Sequence, residues 1–204
     1  IVRRYMVADD EPHKAEYEIF YAINKSEPSA TFEHNDEVMH RIDGFFSELQ
    51  NDSLRHVKSI TITGYASPDG PYALNERLSM QRAQDFKQYV DKKYNLSSRY
   101  QVTTRGVAED WENCYAMVKM SNDVPHKTAV MAILDSTLSN NAKELQLKKM
   151  GDVWNYMRTD ILPPLRRVDI VINYAQGTIV EERTLIEPVF EEQVVEEVVV
   201  PRRC

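Results

Sequence analysis

Ser59-Ile60-Thr61-Ile62-Thr63-Gly64-Tyr65, then Ala66-Ser67-Pro68-Asp69-Gly70-Pro71, then Leu74-Asn75-Glu76-Arg77-Leu78-Ser79-Met80-Gln81-Arg82-Ala83 form the stretch from which the fold is read. The first segment alternates apolar and polar residues with the two-residue period of a half-buried strand. The second is dense in turn formers and closes on a proline, a residue suited to the first turn of a helix. The third opens a helix predicted from Pro71 to about Tyr94, with Leu74, Leu78, Phe86 and Val90 spaced four or eight apart toward a core.

Outward from this unit, strands and helices alternate. Upstream, Glu16 to Ile23 carries β-type residues bounded by Asn24-Lys25-Ser26-Glu27-Pro28 and predicts a strand. Asn35 or Asp36 is placed to cap a helix running to about Gln50, with Val38, Ile42, Phe45, Phe46 and Leu49 at helical spacing. Downstream, Tyr100–Arg105 reads as a strand stopped by Gly106. From Glu109 to about Asp160 the pattern is helical and has the character of an insertion, with apolar anchors including Trp111, Val118, Val130, Leu134, Leu145, Leu147 and Met157. Pro163-Pro164 ends it, and Arg167–Tyr174 alternates again as the last strand. Residues 1–18 are mixed and charged. Glu181–Val200 is rich in Val and Glu, with Glu pairs at 181–182, 191–192 and 196–197, and is expected as an extended tail. The expected class is α+β, one mixed sheet covered by helices.

Composition narrows function. The 204 residues carry a formal charge of −7 and a pI near 5.3, with 42% hydrophobic and 28% charged residues. A chain of this length buries a core without disulfides or metal. The acidic balance argues against nucleic acid, which needs clustered Lys and Arg. Cys114 and Cys204 stand ninety residues apart with no metal-ligand spacing, so Cys114 is expected to pack against Trp111 or Tyr115. The histidines at 13, 34, 40, 56 and 126 show no ligand pattern, and His34 and His40 are expected at the surface. No nucleophile elbow or phosphate loop is present. No apolar run reaches the roughly 18–20 residues of a membrane helix. The opening Ile1-Val2-Arg3-Arg4 lacks an initiator Met and reads as a trimmed or mature fragment.

One constellation has a chemical shape. Asn75, Ser79 and Arg82 fall at i, i+4 and i+7, one stripe of the predicted helix. Arg82 lies four residues from both Leu78 and Phe86, so its guanidinium sits beside an apolar face and needs an anion or several acceptors. The loop ahead of it opens onto the helix N-terminus, where backbone N–H groups and the helix dipole favour an acidic group. These residues suggest a small pocket for a carboxylate at the strand–helix corner. Equally open is an internal pairing of Arg82 with Asp69 or Glu109, which would merely lock that corner.

The Ile60–Gly70 strand and loop, followed by Leu74–Ala83, resemble the C-terminal family of OmpA. Its members include peptidoglycan-associated lipoproteins and flagellar stator proteins, and its helix motif is N-x-x-L-S-x-x-R-A. Phe20–Ser26, Arg105-Gly106 and Arg166-Arg167-Val168-Asp169-Ile170 fall in the expected order. The likeness covers about residues 17–110 and 162–175, and the ends of the insertion are similar to a branch common in Bacteroidetes envelope proteins. The resemblance implies a β-α-β-α-β sandwich with a helical insertion (about 111–162) before the last core strand. It implies an OmpA-like domain over 17–175, an extension at 1–16 and a tail at 176–204.

For function, the resemblance implies a non-catalytic periplasmic domain at the outer membrane, without a cofactor. Its partner would be the diaminopimelate stem of peptidoglycan or, if the site has decayed, an envelope protein. Arg82 would pair with the diaminopimelate carboxylate. Asn75 and the loop at Ala66, Ser67 and Asp69 would help, with Ser79 in the same stripe. Ala22 and Ser67 stand where the family carries acids for the diaminopimelate ammonium, which leaves Asp69 as the nearest substitute.

Overall fold

Alternation along the quoted stretch carries through into the structure: Ile60 and Ile62 are fully buried, while Thr61 and Thr63 turn to the opposite face. In a computed structural model of the chain, residues 1–7 and 12–185 are described. The strands are β1 (Val2–Val7), β2 (His13–Phe20), β3 (Arg55–Tyr65), β4 (Val102–Val107), β5 (Arg167–Gln176) and β6 (Thr178–Arg183). The helices are α1 (Asn35–Asn51), α2 (Tyr72–Tyr94), α3 (Trp111–Met120), α4 (Lys127–Asp135), α5 (Asn140–Lys149) and α6 (Gly151–Tyr156).

Four strands form one sheet in the order β2-β5-β3-β4. β5 runs antiparallel to both neighbours, and β3 and β4 are parallel, joined by the α2 crossover that a parallel pair requires. The class is therefore α+β with a mixed sheet. Ile19, Ile60, Ile62, Val168, Ile170 and Ile172 meet Ile42, Phe46, Phe86 and Val90 in one core. The other face carries Glu16, Glu18, Thr61, Thr63 and Asp169, all exposed or half-buried. The insertion α3–α6 builds a second core around Val118, Val130, Leu134, Leu147 and Met157, closed by a π-helical turn (Met157–Ile161) and a 3-10 turn (Pro163–Leu165). Cys114 is buried in it with Trp111 and Tyr115 packed nearby, as expected. Leu145, read as an anchor, is exposed instead.

The predicted helical face of α2 is corrected. Leu74 is 42% exposed and Leu78 is half-buried, whereas Asn75, Ser79, Arg82, Ala83, Phe86 and Val90 form the buried face. The cause is close approach of backbones. A Cβ on Gly64 would stand 1.9 Å from the Ser79 carbonyl oxygen, and one on Gly106 would stand 2.9 Å from Ser79 Oγ and from the Met80 nitrogen. Strand glycines of this kind mark places where another backbone comes in, and here they draw the polar stripe inward.

Three further differences are local. The first sheet strand is β2, three residues ahead of the predicted 16–23, so Tyr21–Ile23 lie in the loop after it. Asn35 is not a cap: the cap position is His34, left-handed at φ 60°, and makes no side-chain cap bond. The Asn35 amide instead accepts from the Phe20 N–H (2.9 Å) and donates to the carbonyls of Phe20 (2.8 Å) and Ser29 (2.9 Å). Finally, the charged beginning and the start of the Val/Glu segment are strands. β1 pairs antiparallel with β6 from Val2↔Arg183 to Val7↔Thr178, and Glu181 pairs with Arg4 at 2.8 Å. This ribbon extends past Gln176, at the end of the sheet away from Tyr65 and Arg167. The expected tail beyond Leu185, with Glu191-Glu192, Glu196-Glu197 and Cys204, lies outside the described residues.

Candidate carboxylate cleft

The corner where β3 passes into α2 holds a cleft of about 40 Å³ lined by Ile23, Asn24, Ala66, Ser67, Asp69, Asn75, Leu78, Arg82 and Arg166. Five of the six residues singled out from sequence line it. Ser79 does not: its hydroxyl donates to the Glu76 carbonyl (3.0 Å) and packs beside Gly106.

Arg82 is fully buried. Its Nε donates to the Lys25 carbonyl (2.8 Å), Nη1 to the Tyr65 carbonyl (2.7 Å) and Nη2 to the Ala22 carbonyl (3.2 Å). The Tyr21 ring lies 5.3 Å from Cζ. The expected alternative, a lock onto Asp69 or Glu109, is not what the side chain does. Glu109 accepts from Trp111 Nε1 at 2.9 Å, and Asp69 turns to other partners. A guanidinium has five N–H groups; three go to backbone carbonyls, leaving one on each terminal nitrogen. The Arg82 pKa is pulled down to about 10, chiefly by burial, with Tyr21 opposing, the neighbouring Arg166 adding to the lowering and Asp69 opposing it. The cation is thus held at neutral pH, and its surroundings do not fully compensate it.

Arg166 is the residue that the sequence reading quoted as part of a motif but did not place in the site. It is 8% exposed and lines the cleft together with Arg82. Its backbone is fixed by the Arg166 N–H to the Pro163 carbonyl (3.2 Å) and by its own carbonyl, which accepts from Tyr21 (2.9 Å). Its guanidinium approaches Asp69 Oδ2 no closer than 3.7 Å, an ion pair beyond hydrogen-bond reach. Asp69 Oδ1 accepts the Ser67 hydroxyl. Asn75 fastens the loop from beneath, donating through Nδ2 to the carbonyls of Asp69 (2.8 Å) and Ser67 (3.3 Å). Gly70, at φ +87°, occupies the left-handed region that a side chain resists.

A second missed residue grips this loop from outside. Glu144 on α5 is buried, accepts the Gly70 N–H at 3.0 Å and pairs with Lys148 at 2.7 Å. No sequence pattern connects positions 70 and 144. Beside the cleft, sharing Asn24 with it, is a surface hollow of about 670 Å³ between Phe20 and Phe32. Among the described residues no cluster of His, Cys, Asp and Glu has the arrangement of a metal site, and no helix is long and apolar enough to cross a membrane. His34 and His40 are exposed, as expected.

On the opposite sheet face Arg167 sits in a different environment. Nη1 meets Asp110 Oδ2 at 2.8 Å, Nε meets Asp169 Oδ1 at 3.0 Å, and Cζ lies 3.9 Å from the Tyr65 ring centroid. Burial pulls the Arg167 pKa down, but Asp169 and Asp110 outweigh it and the net direction is upward. Burial, with Glu18 adding to it against the opposing Arg167, pushes Asp169 up to about 6.

Comparison with known proteins places these features beside others. No family model and no curated protein matches the chain. Among solved structures it is similar to the OmpA-like domain of FopA1 from Francisella tularensis subsp. tularensis SCHU S4, with a TM-score of 0.42 and 16% identity over 87% of this chain and 82% of that one. It is also similar to the peptidoglycan-associated lipoprotein from Burkholderia pseudomallei, with a TM-score of 0.38 and 10% identity over 76% of this chain and 89% of that one. A third is the cell wall anchor of the T6SS from Pseudomonas aeruginosa, with a TM-score of 0.38 and 11% identity over 82% and 86%. None of the three speaks for the expected Bacteroidetes branch.

Proposed function

We propose that this chain is a non-catalytic, periplasmic cell-envelope domain that holds the peptide stem of peptidoglycan through a carboxylate and so anchors the outer membrane or an envelope assembly to the wall. The observation that carries this reading is the cleft at the β3–α2 corner, where two buried arginines, Arg82 and Arg166, face a single carboxylate, Asp69. Burying cations without matching anions is costly unless a partner supplies the charge. An Arg–carboxylate pair is the strong, directional contact that such a partner would make. The sequence supports it independently, since Asn75, Leu78, Ser79, Arg82 and Ala83 reproduce the helix motif of the wall-binding family.

A second reading has one observation in its favour. The cleft of about 40 Å³ has room for a small group, not for a whole stem residue. On this reading the fold is a structural module that contacts an envelope protein and takes no peptidoglycan. Sedimentation with purified diaminopimelate-type sacculi separates the two. The native chain is expected in the pellet, and Arg82→Met is expected in the supernatant while keeping a cooperative thermal transition. A native chain that stays in solution with sacculi in excess would leave only the module.

A further inference from the structure

We infer that the cleft reads a lone carboxylate and does not read an accompanying ammonium, so it does not require the zwitterionic end of a diamino acid. This rests on the cleft being the ligand site proposed above and specifies which chemical group enters it.

Charge and size point the same way. Of the charged side chains lining the cleft, Arg82 and Arg166 are cations and Asp69 is the single acid among the described residues. That acid already accepts the Ser67 hydroxyl through Oδ1 and faces Arg166 through Oδ2. An entering ammonium would meet two guanidinium charges and a carboxylate whose Oδ1 already accepts the Ser67 hydroxyl. Like charges at this range, away from bulk water, repel strongly. A carboxylate would meet the surplus positive charge of Arg82 and Arg166, the second a guanidinium that no described acceptor holds within hydrogen-bond distance. Two N–H groups in parallel are what a carboxylate takes from an arginine. A cavity of about 40 Å³ accommodates a group the size of a carboxylate or a few waters, and little more. Ala22 brings only its carbonyl to the site, and that oxygen is already held by Arg82 Nη2.

Two sets of probes test this. In the first, acetate and methylammonium are titrated against the Nε–Hε resonances of Arg82 and Arg166 in the whole chain. Acetate is expected to shift both in the millimolar range and methylammonium neither. Arg166→Gln, which leaves the three carbonyl bonds of Arg82 intact, is expected to weaken the acetate response about tenfold. In the second set, calorimetry compares the tripeptide L-Ala-γ-D-Glu-diaminopimelate with its free amine acetylated and with its carboxylates amidated, singly and together. Acetylation should change affinity less than threefold, amidation of all carboxylates should cost tenfold or more, and the single amidations identify which carboxylate enters. Ser67→Asp, by placing an acid in the cleft, should make the amine matter. If acetate moves the arginines but no tripeptide binds, the peptidoglycan reading falls and the carboxylate inference stands. If the tripeptide binds and loses tenfold on acetylation, or if acetate leaves Arg82 unmoved, the inference is overturned.

Discussion

Arg82, on α2, and Arg167, on β5, are both buried against the same sheet, on opposite faces, and they are satisfied in opposite ways. Arg167 closes on Asp110 and Asp169 and stacks on Tyr65, so its charge is spent inside the molecule. Arg82 has carbonyl oxygens as its partners and shares its cleft with a second cation. A fold that needed only a rivet at the β3–α2 corner could have used the Arg167 arrangement. On the function proposed above, Arg167 is architecture and Arg82 is the group that meets a carboxylate from outside the chain.

The comparison can be broken at its base by preventing α2 from reaching the sheet. Gly64→Ala forces a Cβ to within 1.9 Å of the Ser79 carbonyl, so the helix must lift and the whole corner with it. The expected loss is more than about 4 kcal/mol, in the range where single changes unfold a domain. A cooperative urea transition within about 1 kcal/mol of native would show that the close approach is dispensable. Next in size is Arg167→Ala. It strands Asp110 and Asp169, and breaking a buried pair from one side costs about 3–5 kcal/mol.

Arg82→Met should cost less, about 1–3 kcal/mol, because it leaves carbonyl groups and not ionised acids without their donor. Denaturation midpoints in which Arg82→Met equals or exceeds Arg167→Ala would erase the distinction. The smallest expected effect sharpens the Arg167 side. Asp169 titrates near 6 when folded, above its ordinary value of 3.8. The folded chain therefore holds this proton more tightly, and stability should fall as pH rises from about 4 to about 6 and then level off. Asp169→Asn removes that slope and should gain on the order of 1 kcal/mol at pH 7.5 relative to pH 4. Parallel stability–pH curves for the two proteins would refute it.

Much of this was legible in the chain. The strand–turn–helix run from Ser59 onward carries its own periodicities, and the switch from period two to period 3.6 located α2 almost to the residue and the C-terminal end of β3, whose first four residues it did not mark. What failed did so for physical reasons. Leu74 and Leu78 satisfied helical spacing, yet the face that α2 buries was chosen by Gly64 and Gly106, whose signal lies in other elements. β1 and β6 escaped notice because every residue in both is exposed, so no alternation of apolar and polar positions records them. Of the residues lining the cleft, Asn75 and Arg82 were marked by helical spacing, and Ala66, Ser67 and Asp69 by the turn formers ahead of the helix together with the resemblance. Arg166 was quoted only within a motif; it stands just ahead of β5 and lines the cleft, whereas Arg167, the first residue of the strand, closes on Asp110 and Asp169.

The ribbon of β1 and β6 has a mechanical consequence. Ile1 and Thr184 exchange hydrogen bonds at its tip, so the ends of the ribbon meet, and it follows β5 at Gln176, the end of that strand away from the cleft. A load between that tip and Arg166 runs along β5, which is bonded on both flanks to β2 and β3. Those bonds lie across the direction of pull, so they resist in shear, many at once. A load that spreads Ile1 from Thr184 instead meets the β1–β6 bonds one pair at a time and unzips the ribbon while the four-stranded sheet stays whole.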